Sequence, residues 1–173
     1  MARAGAITFK GNPMTLIGDE VKVGQPAPEF TSHRYEGGMK TFTVADLKGK
    51  PTLISVVPSL DTPVCALQTK HFNKDLGAFG DKVRAVTISL DLPFAMNRFC
   101  GAEDIKNLMS VSDYQNRSFG TAWGMLIDEL KILARGIFVL DADGKVVYAE
   151  TVKEVTNEPN YEAALSALKG LVK

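Results

Sequence analysis

The sequence predicts an α/β domain built on a mixed β-sheet, and three stretches carry that expectation. "KPTLISVVP" and "KVRAVTISL" are nearly continuous runs of apolar and β-branched residues, the pattern of central strands buried on both faces. "PVCALQTKHFNKDLGAFG" lies between them and reads as a helix, with Leu67, Phe72 and Leu76 spaced to share a face. "EPNYEAALSALKGLVK" closes the chain as an amphipathic helix with Tyr161, Ala164, Leu165 and Leu168 on one side. Strand, helix, strand, helix, then a hairpin and a last helix is the order of an α/β layer fold.

The remaining elements follow in order. Near the start, "TLIG" and "VKVG" flank Gly18-Asp19-Glu20 and read as a β-hairpin. "GQPAPEF", with two prolines, is an extended connector. "MKTFTVADL" alternates and then turns, which suits a short strand. "PFAMNRFCG" is a short helix with Pro at its start and Gly at its end. "ARGIFVLDADGKVVYAE" is a hairpin around Asp-Ala-Asp-Gly. "LMSVSDYQNRSFGTAWGML" carries the weakest signal; Phe119, Trp123 and Met125 suit core packing before any pocket or dimer surface.

The bulk numbers narrow the function. At 173 residues, without repeat, low-complexity tract or long linker, the chain reads as one domain over 1–173. A 45% hydrophobic content supports a core without staples. Lys+Arg and Asp+Glu are both 20, so no basic excess argues for nucleic acid or an anionic membrane. No segment approaches the roughly 20 apolar residues of a membrane span. "MARAGAITFKGNPM" lacks the apolar core of a secretory signal, so a cytoplasmic protein is expected; a mature form with its leader removed would read the same way.

Two cysteines do not make a disulfide scaffold in a chain of this size, so each needs its own account. Cys65 follows Thr62, a favoured N-cap residue, and Pro63, a favoured first helical residue. Its thiol is therefore expected in a first turn, where free amides and the helix dipole favour negative charge. Lowering a thiol pKa from about 8.5 to about 6 raises the thiolate fraction at pH 7 from about 3% to about 90%, a gain of about thirtyfold. Fast chemistry on a peroxide needs more: donors that align the attacked oxygen and stabilise the departing one. Thr62 is placed to do this if its oxygen accepts the Cys65 amide and its proton turns to the sulfur or the peroxide. Pro58 and Pro63 stiffen the surrounding loop.

Cys100 stands beside Gly101 at the expected end of "PFAMNRFC", the negative end of a helix, which disfavours a thiolate. The two thiols are thus unequal: Cys65 suits attack and Cys100 suits resolution of a sulfenic acid to a disulfide. Such a bond needs Cα atoms within about 7 Å, so the short helix is expected to move if the reduced fold holds them further apart. Competing readings remain: a redox switch without turnover, or inert buried thiols. A zinc site has little support, since no C-x2-C or H-x3-H unit exists and His33 and His71 suit surface or packing roles.

"PSLDTPVC" has the P-x-x-x-T-x-x-C form of the peroxiredoxins, met by Pro58, Thr62 and Cys65. "DLPFAMNRFCGAE" resembles the resolving-cysteine segment of the bacterial thiol peroxidases, the atypical two-cysteine peroxiredoxins, and "LARGIFVLDADGKVVY", "EVTNEPNYEAALSALK" and the N-terminal hairpin resemble the rest of that group. The resemblance implies a thioredoxin-like fold, a mixed sheet flanked by helices, with an added N-terminal hairpin. It implies reduction of hydrogen peroxide and organic hydroperoxides through an intrachain Cys65–Cys100 disulfide, with thioredoxin as reductant, a homodimer, and neither metal nor organic cofactor. It also places the family's active-site arginine at Arg135. Without it, Arg135 reads as a surface charge at a strand start, no different from Arg34, Arg84, Arg98 or Arg117.

Overall fold

The computed structural model describes residues 1–172. Lys173, the last residue of the stretch read as the C-terminal helix, lies outside them. Seven strands form the main sheet. At its centre β5 (Thr52–Val56) and β6 (Arg84–Ser89) run parallel, and β7 (Met109–Ser112) continues in parallel beside β6. Helix α1 (Pro63–Leu76) makes the first crossover and α2 (Pro93–Ala102) the second. On one side β10 (Gly136–Leu140) pairs antiparallel with β5, and β11 (Val146–Thr151) with β10. On the other, β3 (Thr31–Tyr35) and β4 (Met39–Thr43) complete the sheet. The sheet is mixed, as its strand patterns predict. β5 and β10 are buried at every position, which fits apolar runs covered on both faces. Helix α4 (Tyr161–Lys169) packs Ala164 and Leu168 into the core and leaves Tyr161 and Leu165 half-buried. Its Asn160 cap accepts the Ala163 amide at 3.0 Å.

The N-terminal hairpin exists, but not where the sequence suggests. Its strands are β1 (Ala2–Phe9) and β2 (Asn12–Ile17), joined by Lys10-Gly11. Both turn residues have positive φ, 50° and 82°, as a two-residue turn matched to strand twist requires. Gly18, expected at the hairpin turn, instead lies after β2. A Cβ there would run into the Thr121 carbonyl oxygen, so this glycine permits close approach. β2 also pairs with β8 (Leu126–Ile127), and β8 with β9 (Ile132–Leu133), which makes a second, four-stranded sheet.

The stretch that was hardest to read holds β7, α3 (Ser118–Ala122) and the approach to β8. Phe119, Trp123 and Met125 are all core residues, at most 1% exposed. The Asp113 carboxylate organises this region by accepting the Ser32 hydroxyl and the Phe119 and Gly120 amides. Burial pushes its carboxyl up, and those bonds pull it back.

Glu154 fastens the hairpin to the main body. One of its oxygens accepts the Gly11 amide (2.8 Å) and the Thr8 hydroxyl (3.0 Å); the other accepts the amide and hydroxyl of Thr156. These bonds hold its carboxyl down to about 2 from an ordinary 4.5. A folded-state value below the unfolded one adds stability that is complete above pH 4.5 and is lost as pH falls through about 2. Glu154→Gln should therefore flatten the fall in Tm on acidification from about pH 5 to about pH 2.5. Parallel Tm curves for parent and variant would remove Glu154 from that role.

Candidate active site

The site forms where β5 ends and α1 begins. The loop between them, residues 57–62, is pinned by Asp91, just past β6. Asp91 accepts the Ser59 hydroxyl, the Leu60 amide and the Ser89 hydroxyl, all at 2.7 to 2.8 Å. Thr62 is the N-cap of α1 and Pro63 its first residue, as the sequence predicts. The expected cap bond is absent. The Thr62 hydroxyl donates instead to the Ser59 carbonyl at 2.9 Å, and the Thr62 amide points to the same oxygen at 3.1 Å. The first helical bond runs from the Ala66 amide to the Thr62 carbonyl. The Val64 and Cys65 amides therefore have no acceptor within the helix and belong to its free first turn.

Cys65 is fully buried and unpaired. It packs with Val57, Leu60 and Met96, and Phe99 leans on the group. The buried stripe of α1 is Cys65, Gln68, Thr69, Phe72 and Leu76. Leu67, expected to share the face of Phe72 and Leu76, is 54% exposed and points outward. Two polar residues hold positions where an apolar pattern would place leucines.

Gln68 explains why. Its amide nitrogen donates to the Ser55 hydroxyl on β5 (2.8 Å), and its oxygen accepts Nη1 of Arg135 (2.9 Å). Arg135 is only 2% exposed, so the surface-charge reading is wrong. It sits between β9 and β10, and its Nε donates to the Val155 carbonyl at 2.8 Å. Among the described residues no carboxylate pairs with it. A guanidinium buried on two neutral acceptors keeps its positive charge for whatever anion comes beside it. Gln68 is one turn beyond Cys65 on the same face, so that charge lies at the thiol's end of α1. Sequence reasoning missed Gln68 and Asp91; a polar residue three places after Cys65 was the one available signal for Gln68.

A cavity of about 250 Å³ opens at this point. Pro58, Thr62, Pro63, Val64 and Arg135 line it, and Phe9 and Lys10 reach it from the hairpin tip. Cys65, fully buried, is the next residue in the chain after Val64. The structure thus brings Pro58, Thr62 and Arg135 to one cavity, and Cys65 follows Val64 of its wall in the chain.

Cys100 stands apart. It is half-buried on α2, among residues packed with Phe72 and Leu76, while Met96 and Phe99 of the same helix cover Cys65. α2 runs on to Ala102, past its expected end at Cys100 and Gly101, because Gly101 stays helical. Burial pushes the Cys100 thiol up, partly offset by a bond with the Ser110 side chain. α2 is held at Asn97, whose side-chain amide donates to the Tyr35 carbonyl at 2.8 Å. Among the described residues no group of three or more His, Cys, Asp and Glu side chains converges as a metal site.

Gln68→Ala should destabilise the fold by about 1–3 kcal/mol in urea denaturation, since it strands a buried guanidinium donor. An unchanged midpoint would mean that Gln68 does not hold Arg135.

Comparison with known proteins places this geometry. A family model described as Redoxin matches residues 22–165. The thiol peroxidase of Bacillus subtilis (strain 168) is 54% identical over 167 residues, 96% of this chain and 98% of that protein. The thiol peroxidase of Halalkalibacterium halodurans is 49% identical, over 95% of this chain and 97% of its own. Among solved structures, a peroxiredoxin-like protein from Aquifex aeolicus superposes with a TM-score of 0.88 at 40% identity, covering 98% of each chain. A thiol peroxidase from Chromobacterium violaceum shares the fold, with a TM-score of 0.82 at 19% identity over 95% of each chain. On a family match that spans most of its length and relatives near half identity, this chain belongs to the redoxin family, in its thiol peroxidase branch.

Proposed function

We propose that Cys65 is the peroxide-attacking thiol of this chain and that Cys100 resolves it. The chain is a thiol-dependent peroxidase by its family and its close relatives. The observation that carries the residue roles is Arg135: a buried cation with neutral partners, lining a cavity with Thr62, Pro63 and Val64, the three residues just before Cys65.

The chemistry runs as follows. The Cys65 thiolate attacks one oxygen of a hydroperoxide. An S–O bond forms, the O–O bond breaks, and the sulfur becomes a sulfenic acid. The departing oxygen takes up a proton and leaves as water or an alcohol. Arg135 stabilises the thiolate beforehand and the developing negative charge during attack. The Thr62 hydroxyl turns from the Ser59 carbonyl to the peroxide and aligns it. Pro58 and Pro63 keep the wall stiff and remove competing donors.

Cys100 then attacks the sulfenic sulfur. An S–S bond forms, and the sulfenic oxygen leaves as water. Because Met96 and Phe99 fill the space around Cys65, α2 must open before the sulfurs meet. Thioredoxin supplies the two electrons and two protons that restore both thiols. The finer reading includes hydrogen peroxide and organic hydroperoxides as substrates, a homodimer and a cytoplasmic site of action. No helix among the described residues is long and apolar enough to cross a membrane.

Free-thiol titration tests the roles. Reduced protein given one equivalent of cumene hydroperoxide should lose both thiols and run as a monomer on a non-reducing denaturing gel. Cys100→Ser should lose its single thiol to a trappable sulfenic acid at Cys65. Survival of both thiols in the parent would overturn the proposal. Thr62→Val should keep the fold but lower the steady-state rate at least tenfold, with Thr62→Ser restoring much of it; an unaltered Val variant would remove Thr62 from the mechanism.

A further inference from the structure

The cavity has a second cation that chemistry at Cys65 does not use. Lys10 reaches it from the tip of the β1–β2 hairpin. It is the first of the two turn residues, with φ 50°. Glycine, asparagine and aspartate take that left-handed backbone readily, while a lysine there carries a steric cost. The turn itself does not need the lysine side chain, because its anchor is the Gly11 amide and Thr8 hydroxyl on Glu154. A strained residue kept rigidly at the edge of a reactive cavity points to a function for its side chain.

The burial pattern gives the cavity a direction. Arg135 is almost fully buried and marks its floor. Lys10 is exposed and marks its mouth. The wall is apolar at Phe9, Pro63, Val64 and Val155, and among the described residues no acidic one lines it. The Glu154 carboxylate beside the turn is an anion held in place by four hydrogen bonds, from Gly11, Thr8 and Thr156. Among the described residues Lys10 makes no ion pair. The ammonium is therefore free to meet an anion that enters along the wall.

We propose that Lys10 is a specificity-determining residue that favours hydroperoxides carrying a carboxylate beyond an apolar stem. The –OOH group points toward Arg135, the stem lies on Phe9 and Val155, and the carboxylate meets the Lys10 ammonium. This rests on the peroxidase reading above.

The test compares a hydroperoxy fatty acid with its methyl ester, both below the concentration at which they form micelles, and uses tert-butyl hydroperoxide as a small neutral reference. The readout is the acid-to-ester ratio of kcat/KM in Lys10→Asn and Lys10→Arg variants. Asparagine suits the turn better than lysine, so a misfolded hairpin does not confound the result. The ratio should fall roughly two- to fivefold in Lys10→Asn, as expected for an exposed ion pair, and persist in Lys10→Arg. The parent's preference should shrink at high salt. An unchanged ratio in Lys10→Asn overturns the proposal, and so does an equal fall in Lys10→Arg, which would mark a structural role. A parent that turns over tert-butyl hydroperoxide but does not distinguish acid from ester refutes the Lys10 role alone. A parent that turns over none of the three refutes the peroxidase reading and this proposal with it.

Discussion

The buried guanidinium of Arg135 is the constraint around which the rest is arranged. Taking an unpaired cation out of water is expensive unless its donors are met. Here two neutral oxygens take two of its N–H donors, the carbonyl of Val155 and the side chain of Gln68. Each of these is fixed in turn. Gln68 is tied to Ser55 on the central strand, and the Val155 amide donates to the Thr8 carbonyl of the hairpin. One side chain thus joins α1, the main sheet and the N-terminal hairpin. Because none of the partners is an acid, the junction holds the charge in place without cancelling it.

That charge matters because the helix terminus alone does too little. Free amides and a dipole in the first turn are worth about 0.3–1 kcal/mol at an exposed site. Ionising the thiol fully gains about thirtyfold in thiolate. The larger share of a fast reaction must come from holding the peroxide in line and meeting charge as it develops. The fold provides a rigid frame for this. Asp91 fixes the loop from below, two prolines stiffen it, and the hairpin closes the far side of the cavity.

Much of this frame was legible in the chain, for physical reasons. Strands buried on both faces must be apolar throughout, so β5 and β6 stand out in the sequence. Threonine followed by proline is a favoured helix start, and Cys65 is located by counting from it. What was hidden depends on tertiary contact. Gln68 and Thr69 occupy buried positions while Leu67 faces solvent, so hydrophobicity pointed to the wrong residue of that turn. Arg135 cannot be told from other arginines until Val155 and Gln68 are seen around it. The hairpin was misplaced because Lys10-Gly11 lacks the usual asparagine or aspartate, and Gly18 serves a close approach to Thr121. The sequence points the Thr62 oxygen to the Cys65 amide, and only the loop geometry places its hydroxyl on the Ser59 carbonyl.

The packing of Met96 and Phe99 over Cys65 has a thermodynamic consequence for the electron donor. In the proposed cycle, Cys100 reaches Cys65 on the same helix that carries Met96 and Phe99, so forming the disulfide disturbs this small apolar group. On that reading the oxidised chain would lack part of the packing the reduced chain has. Reduction restores it, since the thiols let α2 fold back. A disulfide whose reduction restores buried contacts has a less negative reduction potential than one formed within an undisturbed core. On the proposed roles, the helix that covers Cys65 would make the product disulfide a better electron acceptor, with the cost of unpacking α2 met in the oxidation step by the peroxide.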